Sequence, residues 1–139
     1  MPVTLAQKAL LTIEAARQIA DTAAAEAQRQ NLKMSIAVVD DGGHLLYFFR
    51  MSEQIAAGSV EAALGKAQSA AMFKRATLSW EEAAKERHVV MKIPNVMPLG
   101  GGVPLMAQGV CVGAIGVSGA SSTKDDEIAR SGAAVLSES

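Results

Sequence analysis

The chain has little of what several classes of protein require. It holds one cysteine, Cys111, in 139 residues, which excludes an intrachain disulfide and a cysteine-based zinc knuckle. Its 13 basic and 14 acidic residues give a net charge of −1, without the basic surplus of nucleic-acid-binding proteins. A membrane-spanning helix needs about 18 or more consecutive apolar residues, and no run in this sequence approaches that length. The first residues lack the basic and apolar segments of a signal peptide. We therefore expect a cytoplasmic protein that binds neither nucleic acid nor membranes.

Aromatic residues are also scarce. They make up 4% of the chain, whereas half of all residues are hydrophobic, so Ala, Val, Leu, Ile and Met must fill the core. A chain of 139 residues fits one domain, and we see no linker, long repeat or low-complexity tract. At this length folding buries roughly two-thirds of the surface of the extended chain. A single domain over residues 1–139 is therefore expected.

Capping patterns and the spacing of apolar residues predict four helices. We expect them from Thr4 to about Gln30, from Ser59 to about Arg75, from Ser79 to about His88, and from Thr123 towards Leu136. Asp125 and Asp126 suit the first turn of the last helix, where acidic side chains favour the helix dipole.

Two hairpins are predicted between these helices. Residues 34–40 and 44–50 form β-rich runs around an Asp-Gly-Gly turn, and residues 103–107 and 110–117 flank Gln108-Gly109. Because short hairpin connections join antiparallel strands, the order helix, hairpin, two helices, hairpin, helix predicts a layered α+β domain.

The second hairpin brings two glycine-containing loops together. Antiparallel pairing places Gly101 and Gly102 at the same end as Ser118 and Gly119, next to the start of the last helix. Backbone N–H groups of such loops and a helix N-terminus suit a carboxylate or a phosphate. The alternative is that the glycines only permit tight turns. No Lys-Ser/Thr pair follows the glycines, so this is not a P-loop.

His44 and His88 are the two histidines of the chain and its candidate ligands for haem iron or another metal. Their spacing matches no metal-binding motif. His44 follows a turn, where an exposed polar residue is ordinary. His88 falls at a predicted helix C-terminus, where the helix dipole favours a cation. Both interpretations stay open for each residue.

Lys66 and Arg50 are the candidate anion-binding or catalytic cations. Lys66 lies in a segment of small and apolar residues, so burial could lower its pKa for use as a base, or the ammonium could hold an anionic substrate. It could equally extend along the helix to water. Arg50, at a strand end, suits a bidentate carboxylate contact or a cap of the sheet edge.

Several stretches match a known family in order and spacing. They are residues 36–46, Arg50-Met51, Gly58-Ser59, Lys66-Ala67, residues 73–77, residues 100–104, residues 112–120 and Asp125-Asp126. In this order the chain resembles the GlcG/HbpS-like family, whose members bind haem and in some cases degrade it. The related C-terminal domain of PduO-type proteins belongs to the same group.

The resemblance implies an antiparallel sheet of about five strands flanked by helices, and assembly into dimers or larger homo-oligomers. It also implies a tetrapyrrole or other small-molecule ligand, with haem as the cofactor. Carried over by position, a ligand-binding pocket would be lined by Lys66, Phe73, Thr77, Gly101, Gly102, Ser118 and Gly119.

The residues and the family resemblance together suggest three possible functions. The first is binding of haem or a related tetrapyrrole, with haem degradation as an added activity. The second is a cofactor-free hydrolase or tautomerase in a catabolic pathway, with Lys66 and Arg50 holding a small carboxylic acid and the Gly101 and Gly102 amides stabilising an oxyanion. The third is a non-catalytic oligomeric accessory protein. The family resemblance favours the first.

Overall fold

Four α-helices, one 3₁₀ helix and four strands form the part of the chain that the computed structural model describes, residues 1–136. The helices are α1 (Ile13–Arg29), α2 (Gly58–Phe73), α3 (Thr77–Glu86) and α4 (Ser122–Ala133), with the 3₁₀ helix at His88–Lys92. The strands are β1 (Ser35–Asp40), β2 (Leu45–Arg50), β3 (Gly102–Ala107) and β4 (Val110–Ser118).

The strands form one antiparallel sheet in the order β2-β1-β4-β3. The two hairpins lie side by side and join along β1 and β4, where Ser35 pairs with Ser118 and Asp40 with Gly113. The α+β class is confirmed. The expected sheet of about five strands is wrong for residues 1–136, since the sheet holds four. Pro104, in edge strand β3, has no N–H to donate and makes that edge a poor template for a fifth strand.

Helices cover both faces of the sheet. On one face α1 and α4 pack against Ile36, Val38 and Ile115. On the other, alanines of α2 pack against Ala37, Val39 and Ala114. The small side chains bring α2 close: a Cβ at Gly116 would stand 2.0 Å from the carbonyl oxygen of Ala63. This closeness places the middle of α2 directly over the end of β4.

The first helix begins later than predicted. Thr12 is its N-cap, with the hydroxyl accepting from the Ala15 N–H at 3.0 Å, and the proposed start at Thr4 is wrong. Leu5 and Leu10 are 83% and 75% exposed. Without apolar packing, a helical extension over these residues lacks the main source of helix stability in proteins.

Three other helix starts also differ from the prediction. Ser59 lies inside α2, buried, and its hydroxyl is 2.8 Å from that of Ser35. Ser79 lies in the first turn of α3, where its hydroxyl donates to the Ala76 carbonyl. Ser121, not Thr123, caps α4 by accepting from the Lys124 N–H. The hydrogen-bond partner of each serine hydroxyl therefore depends on packing against other elements or on the neighbouring turn.

After α3 the chain does not run straight into a loop. A 3₁₀ helix begins at His88, following Arg87, whose extended backbone ends α3. Within residues 1–136 no helix is both long enough and apolar enough to cross a membrane.

Candidate functional site

A buried ion pair lies where the glycine-containing loops meet. The Lys66 Nζ is 2.9 Å from the Asp125 Oδ2 and 3.0 Å from the Val117 carbonyl oxygen. Lys66 is 3% and Asp125 2% exposed. Lys66 is buried because it shares the sheet-facing side of α2 with Ala63, Ala67 and Ala70. The chain therefore supplies its own counter-ion for this ammonium.

Asp125 occupies the anion position predicted from the loops. Its Oδ1 accepts from the Ala120 N–H at 2.8 Å, and the Gly119 N–H also bonds to this carboxylate at the start of α4. Burial raises the pKa of the Asp125 carboxyl above its usual value, although the Lys66 ammonium opposes the shift. The backbone donors and helix N-terminus thus hold an anion, and that anion is a side chain of the protein.

Gly101 and Gly102 allow the chain to close over this pair. Gly101 has φ +133°, and a Cβ there would lie 2.4 Å from the Val117 carbonyl oxygen and 2.9 Å from the Lys66 Cδ. The Gly102 N–H donates to the Thr77 Oγ1 at 2.8 Å. Lys66, Thr77, Gly101 and Gly102 are therefore brought together. Ser118 is the last residue of β4, after the Val117 carbonyl that Lys66 contacts, and Gly119 follows it.

Phe73 and Arg50 have other contacts. Phe73 ends α2, with its ring edge to face against Trp80 at a centroid distance of 5.5 Å. Arg50 is exposed on β2 and donates to the Ile55 carbonyl at 2.9 Å, so it holds the loop that follows its own strand. The structure does not join Arg50 and Lys66 in a common pocket.

The two histidines differ in surroundings. His44 lies in the exposed β1–β2 turn with 83% of its side chain accessible, and its Nδ1 is 3.5 Å from the Asp40 Oδ1. The side chain of His88 makes no hydrogen bond or ion pair within residues 1–136, and it lines a cleft. A free imidazole in a concave site is the better placed ligand of the two.

We call this concavity the His88 cleft. It lies between α3, the 3₁₀ helix and the loop before β3, with a volume of about 510 Å³. Met91 and Leu99 are 63% and 48% exposed beside the imidazole, so the walls are largely apolar. The full lining is Glu81, Ala84, Lys85, His88, Met91, Pro98 and Leu99.

A second concavity, the Trp80 cleft, lies on the neighbouring side of α3, with a volume of about 590 Å³. Its lining is Arg75, Trp80, Ala83, Glu86, Arg87, Val89, Val90 and Ile93. The sequence did not predict this cleft, because the residues from Ser79 onward fit the start of a helix. The available signal was a lone tryptophan with an arginine on each side along the chain.

The described residues hold no group of three or more His, Cys, Asp or Glu side chains that could bind a metal ion on their own. Neither histidine is part of a protein-only metal site. One imidazole can instead complete the coordination of an iron that arrives with its own macrocycle, which is the case for haem.

Comparison with known proteins identifies the family. Residues 11–134 match the model of a family described as haem-degrading protein, HbpS-like. The chain belongs to the HbpS-like family. The family resemblance read from the sequence is confirmed. Among HbpS-like relatives, the protein GlcG of Escherichia coli (strain K12) is 38% identical over 112 residues, which cover 80% of this chain and 83% of GlcG.

Solved structures agree with this HbpS-like assignment. A double mutant of HbpS from Streptomyces reticuli is 34% identical, with a TM-score of 0.86 over 98% of this chain and 97% of that one. The PduOC–haem complex is 25% identical, with a TM-score of 0.82 over 92% of this chain and 96% of that one. At the level of the family, haem binding is supported by the family description and by this complex.

Proposed function

We propose that this chain binds haem or a related tetrapyrrole in the His88 cleft. The observation that carries the proposal is the unpartnered imidazole of His88 among apolar side chains. Histidine is a common axial ligand of haem iron, and His88 is exposed, so its imidazole is accessible to an incoming haem. The haem complex of a structural relative supports the choice of ligand.

The cleft fits the two parts of a haem. Its volume of about 510 Å³ lies within the about 300–1,000 Å³ of small-molecule sites, and Met91, Pro98 and Leu99 offer an apolar surface for the porphyrin ring. Lys85 lines the same cleft, 3.2 Å from the exposed Glu82 carboxylate. Such a surface pair is weak, so the ammonium is available to a propionate.

Haem supplies a redox-active iron when it is bound. The chain's part is ligation through the His88 imidazole, exclusion of water by the apolar walls, and neutralisation of a propionate by Lys85. Haem degradation by this protein is a further proposal, supported by the description of the family. It is tested by following loss of the haem absorbance after adding a reductant in air.

The direct experiment is a titration of the purified protein with haemin, followed by absorbance. A saturable one-to-one shift of the Soret band supports the proposal, and a non-saturable response rejects it. The hydrolase or tautomerase alternative gains no support from the site, since Lys66 is engaged by Asp125 and Arg50 by Ile55.

We also propose that the chain forms a homo-oligomer. Val3, Leu5 and Leu10 are 86%, 83% and 75% exposed in the segment before α1, which is much apolar surface for a monomer to leave in water. Light scattering on the full chain and on a variant with all three residues changed to Ser tests this. The proposal fails if the full chain is a monomer at micromolar concentration.

A further inference from the structure

The Trp80 cleft has an apolar wall that is open to solvent. Val89 and Ile93 are 58% and 37% exposed, and Ala83 and Val90 complete this wall. The volume of the cleft, about 590 Å³, lies within the range of small-molecule sites, which is about 300–1,000 Å³. The wall suits the hydrocarbon part of a small ligand.

Arg75 lines the cleft and is held in place before any ligand arrives. Its guanidinium carbon lies 3.8 Å from the centroid of the Trp80 ring, a cation–π contact. Its Nε donates to the Ser79 Oγ and its Nη2 to the Ser79 carbonyl. These contacts leave Nη1 without a hydrogen-bond partner in the described chain. A guanidinium fixed in this way loses little freedom when it binds a carboxylate.

Arg87 is the second cation of the cleft. It is exposed, and its side chain makes no hydrogen bond or ion pair with residues 1–136. Glu86 is the acidic residue of the lining, and it forms no ion pair with either arginine in the same range. Two guanidinium groups against one carboxylate leave the cleft with a surplus positive charge. Planar guanidinium groups bind carboxylates through paired, charge-assisted hydrogen bonds.

Trp80 contributes its ring to the lining, beside Arg75. The lining therefore combines apolar surface with two guanidinium groups as donors.

We propose that the Trp80 cleft binds a small amphipathic monocarboxylate, with its carboxylate on Arg75 and Arg87 and its hydrocarbon part on Val89, Val90 and Ile93. The proposal does not depend on haem binding. The His88 cleft uses other residues of α3, so ligands of the two clefts contact different side chains.

Trp80 is the only tryptophan of the chain, and its fluorescence reports on this cleft. The probe is octanoate, and octanamide is the matched neutral control. We expect a saturable change in fluorescence with octanoate, and binding of octanamide weaker by about ten-fold or more, since charge-assisted bonds are lost. Equal binding of the two compounds, or no saturable change with octanoate, overturns the proposal.

Variants locate the site. Arg87→Gln removes the charge and shortens the side chain but keeps it polar, and we expect it to weaken octanoate binding by about ten-fold or more. Lys92→Gln removes a nearby exposed cation outside the lining and should bind octanoate as the wild type does. Circular dichroism checks that both variants fold. Wild-type affinity in Arg87→Gln, or an equal loss in Lys92→Gln, contradicts the assignment.

His88→Ala separates this proposal from haem binding. We expect it to bind octanoate with wild-type affinity. Displacement of octanoate by equimolar haemin in both wild type and His88→Ala would mean that the Trp80 cleft takes haem, and would overturn the carboxylate site.

Discussion

The Lys66 Nζ and the Asp125 Oδ2 lie 2.9 Å apart in the interior, although the two residues are separated by 59 positions in the chain. The same ammonium bonds to the Val117 carbonyl. The pair thereby joins three elements: the middle of α2, the end of β4 and the first turn of α4. Because buried charges are costly unless paired, this contact makes the position of each element depend on the others.

Lys66→Met tests the pair. Without the ammonium the Asp125 carboxylate is left buried, and we expect the free energy of unfolding at pH 7 to fall by about 3–5 kcal/mol. The double variant Lys66→Met/Asp125→Asn removes both charges and should recover much of this loss. Urea unfolding measures all three. A matched control is Glu82→Gln, which breaks an exposed pair and should cost less than about 1 kcal/mol.

The pH dependence of Lys66→Met follows from Asp125. Burial raises the pKa of this carboxyl even beside Lys66. A carboxyl whose pKa is higher in the folded state gains stability as pH falls through that value, because the folded protein binds the extra proton. The stability difference between wild type and Lys66→Met should therefore become smaller as the pH is lowered from 7. A stability difference that does not depend on pH contradicts this account.

The pKa of Asp40 is shifted in the opposite direction to that of Asp125. Burial acts to raise its pKa, but the backbone N–H groups of His44 and Gly42 act to lower it, and the net result is a pKa below the usual value. A lowered folded-state pKa gives stability that is present above the unfolded-state value and is lost as pH falls through the folded-state value. The stability difference between wild type and Asp40→Asn should therefore narrow below about pH 4. Urea midpoints measured at several pH values check this, and a constant difference refutes it.

Gly101→Ala tests the close approach over Lys66. The new Cβ would meet the Val117 carbonyl oxygen at 2.4 Å, and φ of +133° is unfavourable for alanine. We expect the substitution to lower the free energy of unfolding by more than about 2 kcal/mol. Gly58→Ala is the matched control, since a Cβ there has nothing within 4 Å, and it should be neutral or stabilising. Thermal unfolding of both variants gives the comparison, and similar melting temperatures would contradict the prediction.

Ser121→Ala tests the cap of α4. The Ser121 hydroxyl accepts from the Lys124 N–H, so its removal should cost about 1 kcal/mol. Thr123→Ala changes the residue that sequence analysis assigned as the cap, and it should cost less than about 0.5 kcal/mol. A larger loss of stability in Thr123→Ala than in Ser121→Ala, measured by urea unfolding, would favour Thr123 as the cap.

The strands could be predicted from the sequence because their signals are local. The β-rich runs and the turns at Gly42-Gly43 and Gln108-Gly109 predict each strand within a residue of its observed ends. Helix starts were harder, because a serine such as Ser59 fits an N-cap pattern and also a buried contact with Ser35. That choice is made by packing between elements and is not visible in a short window.

The candidate site was predictable in part. Hairpin geometry predicted that Gly101 lies beside Ser118. The loop after β4 does bind an anion, the Asp125 carboxylate, whereas the Gly102 N–H donates to Thr77 instead. The anion itself could not be predicted, because nothing near Asp125 in sequence indicates a partner 59 positions away. The two clefts beside α3 were also missed. They depend on the break between α3 and the 3₁₀ helix, which exposes His88 on one side and leaves Trp80 on the other.

The most direct test of haem binding in the His88 cleft is a haemin titration of His88→Ala beside His44→Ala, followed at the Soret band. The two variants remove the same group, one from the cleft and one from an exposed turn. We predict that His44→Ala gives the saturable wild-type shift and that His88→Ala loses it or gives a different band position. An unchanged shift in His88→Ala would contradict the assignment of His88 as the iron ligand.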